Sequence, residues 1–382
     1  MARIAPNLLK YYLLRLLSGL IFTYVIQVIY LLSRGITVSQ LALYASLTII
    51  LSTLFEIPTG YIADKFGRKY SVALSYLCSS LAFVALIFVQ AFTLLIGVSF
   101  LNGLSRALES GALESLMYEE VQSSGAENDF LKVTSRGSNI AIIAAAGASF
   151  VSPSLYLLNP SIPFILSGVA NLVMAVLILL FDEKQRAHEV LRNIRVIDGI
   201  RNVVRIRPIL LIVLIDLLLL IFVNVYYQIS FFPKITALGL DIRLLGVVDV
   251  VTLGITSVIL LWLPRLRWKN EKTWLVVFSL AAGIVFVIFG LSTTLWAALV
   301  FGVLFDPMWH LRAHVIPTIT NKYFESSSRA LSLSSMSFIS NLGAALLLPV
   351  AIQFFDWSYL FSLVPLGLIG VLLAVYPNTK SG

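Results

Sequence analysis

Charged side chains are scarce in this chain: Lys, Arg, Asp and Glu make up 12% of its 382 residues, about half the share of a soluble domain. Apolar residues reach 59% and the mean hydropathy is +0.95. Together these exclude a soluble globular fold and leave a polytopic membrane protein. Cysteine is almost absent. A single residue, Cys78, excludes an intramolecular disulfide and any cysteine-ligated metal site, and reads as a small core residue. No Gly-x4-Gly-Lys-Ser/Thr loop occurs, so ATP is not the expected energy source, and no cofactor is expected. The net charge of +8 and the isoelectric point near 9.5 raise nucleic acid as a partner. The basic residues, however, fall in separate short loops rather than one patch, which argues against it. The apolar run after Lys10 has no small-residue cleavage site and continues into a full span, so the N-terminal segment is expected to be retained.

Long apolar runs are what the chain does contain. About 20 apolar residues cross a hydrocarbon core, and the runs predict spans near 11–33, 39–60, 70–90, 93–117, 132–153 and 160–181. A second set follows near 208–232, 242–263, 273–291, 293–312, 331–353 and 357–376. The expected class is an all-α membrane protein of twelve transmembrane helices, with six-helix halves over 1–181 and 208–382 and a cytoplasmic linker over 182–207. Charge tests the count, because basic residues collect on the cytoplasmic side. With a cytoplasmic N-terminus, Arg34, Lys234 and Arg243 fall outside and Arg106 and Arg312 lie within spans near their inner ends. The remaining Lys and Arg residues sit at the termini or the even-numbered loops, so both termini are expected to face the cytoplasm, in the cell membrane. Within the linker, Leu191, Ile194, Ile197, Ile200 and Val204 recur at helical steps, with Arg192, Arg195, Arg201 and Arg205 on other positions. That pattern predicts an amphipathic helix on the inner membrane surface; a solvated linker is the alternative.

The stretch from Gly60 to Lys69 reads Gly-Tyr-Ile-Ala-Asp-Lys-Phe-Gly-Arg-Lys. Two glycines allow a tight reversal between helices, and Lys65, Arg68 and Lys69 favour the cytoplasmic face. The spacing Gly-x3-Asp-Lys-x-Gly-Arg-Lys resembles the loop signature of the major facilitator superfamily of secondary transporters. The resemblance implies two six-helix halves that rock around a midplane site, exposing it to each side in turn, and a transporter rather than an enzyme. It also implies a gating role for Gly60, Asp64, Lys65, Gly67, Arg68 and Lys69, with Glu56 and Glu114 near the inner surface joining them. The corresponding second-half loop, Leu263 to Lys272, is basic but lacks the glycines and the aspartate. Glu56-Ile57-Pro58-Thr59, Ser110-Gly111-Ala112 and Arg329-Ala330-Leu331-Ser332-Leu333 resemble drug-efflux and poorly characterised members. The fifth span, Ser138 to Pro153, departs from typical antiporters in lacking their glycine- and proline-rich signature.

Ionisable residues inside a span cost roughly 2.5–3.5 kcal/mol each at the bilayer centre, so each is a functional candidate. Asp216, Asp249 and Asp306 lie within their apolar runs. A carboxylate in a low-dielectric cavity has a raised affinity for protons and can change protonation as access alternates, so all three are candidates for proton coupling. Asp249 comes first, standing alone in Gly246-Val-Val-Asp249-Val-Val; a hydrogen bond to a neighbouring helix is the other reading of each. Arg106 and Glu109, one turn apart, form an ion pair on one face or line the substrate cavity. Asp306, His310 and His314 share a helix face that can pass protons or ligate a transition metal, although no metal site is assigned. Since the first and seventh helices line the pore in the family resembled, Tyr24 and Gln27 are expected to meet Asn224, Tyr227 and Gln228 across the cavity. The expected activity is proton-coupled efflux of a small, largely apolar organic solute by a monomer, with protons and membrane lipids as the other partners. A facilitator, a metal exporter and a non-transporting receptor are the alternatives. If the orientation is right, Ser123→Cys will be shielded from an impermeant thiol reagent in intact cells and Thr294→Cys will be labelled; the reverse pattern would overturn it.

Overall fold

The computed structural model describes residues 6–123, 130–181, 196–262, 271–321, 323–324 and 329–353, and among these every regular element is helical. In chain order the α-helices are α1 (Pro6–Gly19), α2 (Gln27–Ser33), α3 (Val38–Phe66), α4 (Arg68–Ile87), α5 (Phe92–Glu109), α6 (Ala112–Ser123), α7 (Phe130–Leu158) and α8 (Ile162–Leu179). There follow α9 (Val196–Arg205), α10 (Arg207–Val225), α11 (Phe231–Ala237), α12 (Leu245–Trp262), α13 (Glu271–Leu291), α14 (Leu295–Thr320) and α15 (Arg329–Gln353). Seven helices among the described residues are long and apolar enough to cross a membrane, the most apolar being the run Arg207–Ala237. The twelfth expected span and the loop from Leu263 to Asn270 lie outside the described residues. The chain divides into two compact units: Met1–Gln40, Leu47–Val190 and Ile242–Val250 form one, and Leu41–Ser46, Leu191–Asp241 and Val251–Gly382 the other.

Three expected elements take a different form. The first span is broken: α1 ends at Gly19, a turn runs through Leu20–Ile26, and α2 resumes at Gln27. Gly19 is where α1 meets α7, and a Cβ there would come within 2.7 Å of the Ala144 Cβ. Backbone groups released by such a break must find partners where no water is available. Two buried serines supply them, for the Phe22 N–H donates to Ser167 Oγ at 2.9 Å and the Ser152 hydroxyl donates to the Phe22 carbonyl. The fourth span is also divided, at Ser110 and Gly111, where Gly111 takes φ +71°. Carbonyls in the last turns of α5 accept from side chains of α3 and α4: Thr59 Oγ1 to Ala107 O at 3.0 Å, Ser71 Oγ to Leu108 O at 2.8 Å and Ser75 Oγ to Ser105 O at 2.8 Å. A helix end has carbonyls to satisfy, and hydroxyls from its neighbours do so here.

The third difference concerns the charged stretch at Gly60–Lys69. It is not a loop with two turning glycines, because α3 runs through Gly60 to Phe66 and α4 begins at Arg68. The whole reversal is concentrated in Gly67, with φ +102° and ψ +142° and its N–H on the Ala63 carbonyl. That backbone region is essentially closed to residues with a Cβ. Gly60 is ordinary helix with nothing within 4 Å of the position a Cβ would occupy. The described part of the linker helix, α9, packs against protein. Gly199 packs so tightly on α15 that a Cβ would come within 2.9 Å of Leu331 Cγ, and Val203 is fully buried while Val204 is exposed. Leu191 and Ile194 lie outside the described residues.

The two glycines of the signature are therefore expected to respond oppositely to alanine. Gly67→Ala forces a strained backbone and should destabilise by about 1–3 kcal/mol. Gly60→Ala should stabilise by up to about 1 kcal/mol through helix propensity. Thermal unfolding of the purified protein in detergent will separate them; equal effects would return the turn to both glycines.

Candidate functional site

The apolar run Arg207–Ala237 is not one continuous α-helix. Between α10 and α11 the residues Tyr226–Ser230 form a π-helical turn, a rare feature that concentrates at functional sites. Polar side chains absorb part of the mismatch: Ser230 Oγ donates to the Val225 carbonyl at 2.9 Å, Asn224 Nδ2 to the Leu220 carbonyl at 2.8 Å, and Gln228 Nε2 to Asn224 Oδ1 at 3.2 Å. The turn sends two consecutive tyrosines to different places. Tyr226 enters the core of its unit, where its hydroxyl donates to the Gly302 carbonyl at 2.9 Å. Its ring lies 4.7 Å from Phe231 and 4.9 Å from Phe305. Tyr227 remains half-buried and donates its phenolic hydrogen to Asp306 Oδ1.

Asp306 lies in α14 and is 3% exposed. Its second oxygen accepts from Thr256 Oγ1 of α12 at 2.5 Å. Hydroxyl donors on both oxygens suit an ionised carboxylate, which accepts and does not donate. Pro307 follows immediately, and proline inside a helix leaves the carbonyl four residues earlier, at Val303, without its usual donor. One turn on, His310 Nε2 stands 3.8 Å from Asp306 Oδ2, with its side chain 41% exposed against 5% for Asp306. The His314 side chain lies outside the described residues, so the expected acidic and imidazole row is represented by its first two members. Among the described residues no three His, Cys, Asp or Glu side chains converge on a metal position.

The other two buried aspartates have partners of different kinds. Asp216 on α10 receives Arg312 of α14, Nε to Oδ1 at 2.5 Å, with side chains 5% and 16% exposed. Sequence reasoning noted Arg312 only as a cation near an inner helix end; its signal was an opposite charge buried in another span. Asp249 is buried in α12 and is not isolated, unlike its appearance in the sequence. One turn earlier Gly246 lies against the α7 backbone, where a Cβ would come within 2.7 Å of Phe150 Cα.

The remaining candidates belong to the first unit. Tyr24, in the break between α1 and α2, is 42% exposed, and Gln27 is half-buried at the start of α2. Tyr24 and Gln27 thus lie in one unit, and Asn224, Tyr227 and Gln228 in the other. Arg106 is exposed, and Glu109 Oε1 accepts from the Tyr76 hydroxyl at 3.4 Å. Glu56 is exposed and accepts from Ser110 Oγ at 3.3 Å, while the Glu114 side chain lies outside the described residues. Asp64 and Lys65 are exposed and Arg68 half-buried. Lys69 reaches the Phe181 carbonyl at 3.3 Å and Lys10 the Leu180 carbonyl at 2.5 Å. Both lysines therefore serve carbonyls just beyond the end of α8, where the helix dipole favours cations.

The sequence matches the family model of the Major Facilitator Superfamily over residues 11–311. A curated relative, the uncharacterized MFS-type transporter YxaM of Bacillus subtilis (strain 168), is 26% identical over 260 residues, which are 65% of this chain and 63% of the relative. The match thus spans less than two thirds of that relative's length. The solved nucleoside transporter NupG superimposes with a TM-score of 0.76 at 13% identity, covering 97% of this chain and 100% of the other. A D-xylose-proton symporter gives 0.71 at 15% identity, covering 98% of each chain. At these identities the likeness is one of fold.

The Asp216–Arg312 pair should behave as structure. Removing one partner of a buried pair leaves an uncompensated charge and costs about 3–5 kcal/mol, whereas replacing both by apolar residues is often neutral. Arg312→Met alone is expected to lower the unfolding temperature strongly, and Arg312→Met with Asp216→Leu to recover most of the loss. Equal stability of the single variant and the parent would remove this role.

Proposed function

Because the chain belongs to the major facilitator superfamily and is a membrane transporter, not an enzyme, we propose that it is a twelve-helix secondary carrier exporting a small, largely apolar organic solute in exchange for protons. The observation that carries this reading is the contact of Asp306 with Tyr227 and Thr256. Asp306 takes the proton-carrying role in preference to Asp249, the first choice on sequence, because it is joined directly to a residue of the seventh span. Asp216 is assigned to structure. The D-xylose-proton symporter is, as named, an example of this fold coupled to protons.

The coupling follows from hydrogen-bond chemistry. Ionised Asp306 accepts from both hydroxyls and so restrains Tyr227 on the π turn. Protonation removes the carboxylate charge and so weakens both charge-assisted contacts, that of Tyr227 included. The π turn, one residue longer than an α turn, is then released to repack, and Asn224, Tyr227 and Gln228 rotate with it. Those three residues offer a few hydrogen-bonding groups amid apolar surface. Such a lining suits an amphipathic organic molecule better than a sugar or a phosphate. Outward transport is supported by the short matches to efflux members around Glu56, Ser110 and Arg329. Asp64 and the basic residues about Gly67 act as the cytoplasmic gate, with both termini on the same side of the cell membrane, in a monomer.

The test uses full-length protein in liposomes with a trapped pH dye, an imposed pH gradient and a panel of lipophilic cations, neutral drugs and organic anions. One class is expected to dissipate the gradient with the parent protein. Asp306→Asn should abolish that response, and Asp249→Asn should retain it. Full proton movement in Asp306→Asn would overturn the assignment.

A further inference from the structure

We propose that His310 is the proton relay of this carrier, taking protons from water and passing them to the buried Asp306. The inference rests on the proton-coupled reading above and adds the route by which the carboxylate is reached. Asp306 is closed off, with a side chain 5% exposed and both oxygens held by hydroxyls. Water therefore has no ready path to it. His310 lies one helical turn away on the same face of α14, and that face is turned toward the π turn through Tyr227 and toward α12 through Thr256. Its imidazole is 41% exposed while its Nε2 stands 3.8 Å from Asp306 Oδ2. One end of the ring thus meets the carboxylate and the rest is open. Inside a span a lipid-facing imidazole would be costly, which favours water on its open side.

The transfer balances without any further reactant. Protonated His310 gives its Nε2 proton to Asp306 Oδ2, so that an N–H bond breaks and an O–H bond forms. Neutral His310 then takes a proton from water on its open side. A small rotation of the ring closes the 3.8 Å gap to hydrogen-bonding distance. Among the described residues, the other polar groups around Asp306 are engaged with it or with other partners. Tyr226 is committed to the Gly302 carbonyl, Tyr227 and Thr256 donate to Asp306, Arg312 is paired with Asp216, and Lys234 on α11 donates to the Gly290 carbonyl.

The relay is tested without knowledge of the transported solute by pH-jump infrared spectroscopy on the full-length protein in lipid nanodiscs. The carbonyl stretch of protonated aspartic acid is followed after acidification, with Asp306→Asn identifying the band that belongs to Asp306. The parent protein should protonate Asp306 promptly. His310→Ala should slow that step by a factor on the order of 100, with the same final amplitude, and imidazole added to the buffer should restore the rate. His310→Gln, which keeps a polar side chain of similar reach but carries no proton, should be equally slow. Parent-like rates in both His310 variants would overturn the relay while leaving Asp306 as the proton site. A band unaffected by Asp306→Asn would show that Asp306 does not titrate, overturning the relay together with the reading on which it rests.

Discussion

A carboxylate buried inside a membrane helix must be neutralised or hydrogen-bonded wherever it stands. Asp306 meets that requirement with two hydroxyls drawn from two other helices. The contact therefore fixes more than a charge. It meets Tyr227 of the π turn, and it ties α12 to α14 through Thr256. Both donors to Asp306 are neutral hydroxyls, whereas Asp216 meets the Arg312 guanidinium. The same residue type thus performs different work in the two places, and the difference lies in the partner.

The same physics explains why the helices can be interrupted. In hydrocarbon an open backbone group has no water to turn to, so each break is matched by side chains from adjacent helices. Ser152 and Ser167 close the gap at Phe22, and Thr59, Ser71 and Ser75 serve the end of α5. Glycines do the complementary task of letting backbones approach, as Gly19 does against α7 and Gly199 against α15. Serine and glycine content that looks unremarkable in a count is thereby what makes discontinuous spans stable.

Composition and the charged signature were enough to read an all-α membrane transporter of this superfamily, because hydropathy and loop charge act one residue at a time. The breaks were not legible in that way. Gly19, Gly67 and Gly111 look alike in a sequence, and only their neighbours decide which ends a helix, which turns the chain and which is passed through, as Gly60 is. Asp249 drew attention because it stood alone in an apolar run, yet solitude in sequence says nothing about the helix that will face it. Asp306 and His310 were recognised as sharing a face, but Thr256 was not, since a lone threonine in a span carries no pattern.

The Asp306 carboxylate is proposed to hold the π turn through Tyr227. Hydrogen–deuterium exchange at a single pH, comparing the full-length parent protein with Asp306→Asn, tests it most directly across the amides of Tyr226–Phe231. Faster exchange in that segment, with α4 unchanged, is the predicted result. Equal protection of the turn in both proteins would contradict the claim.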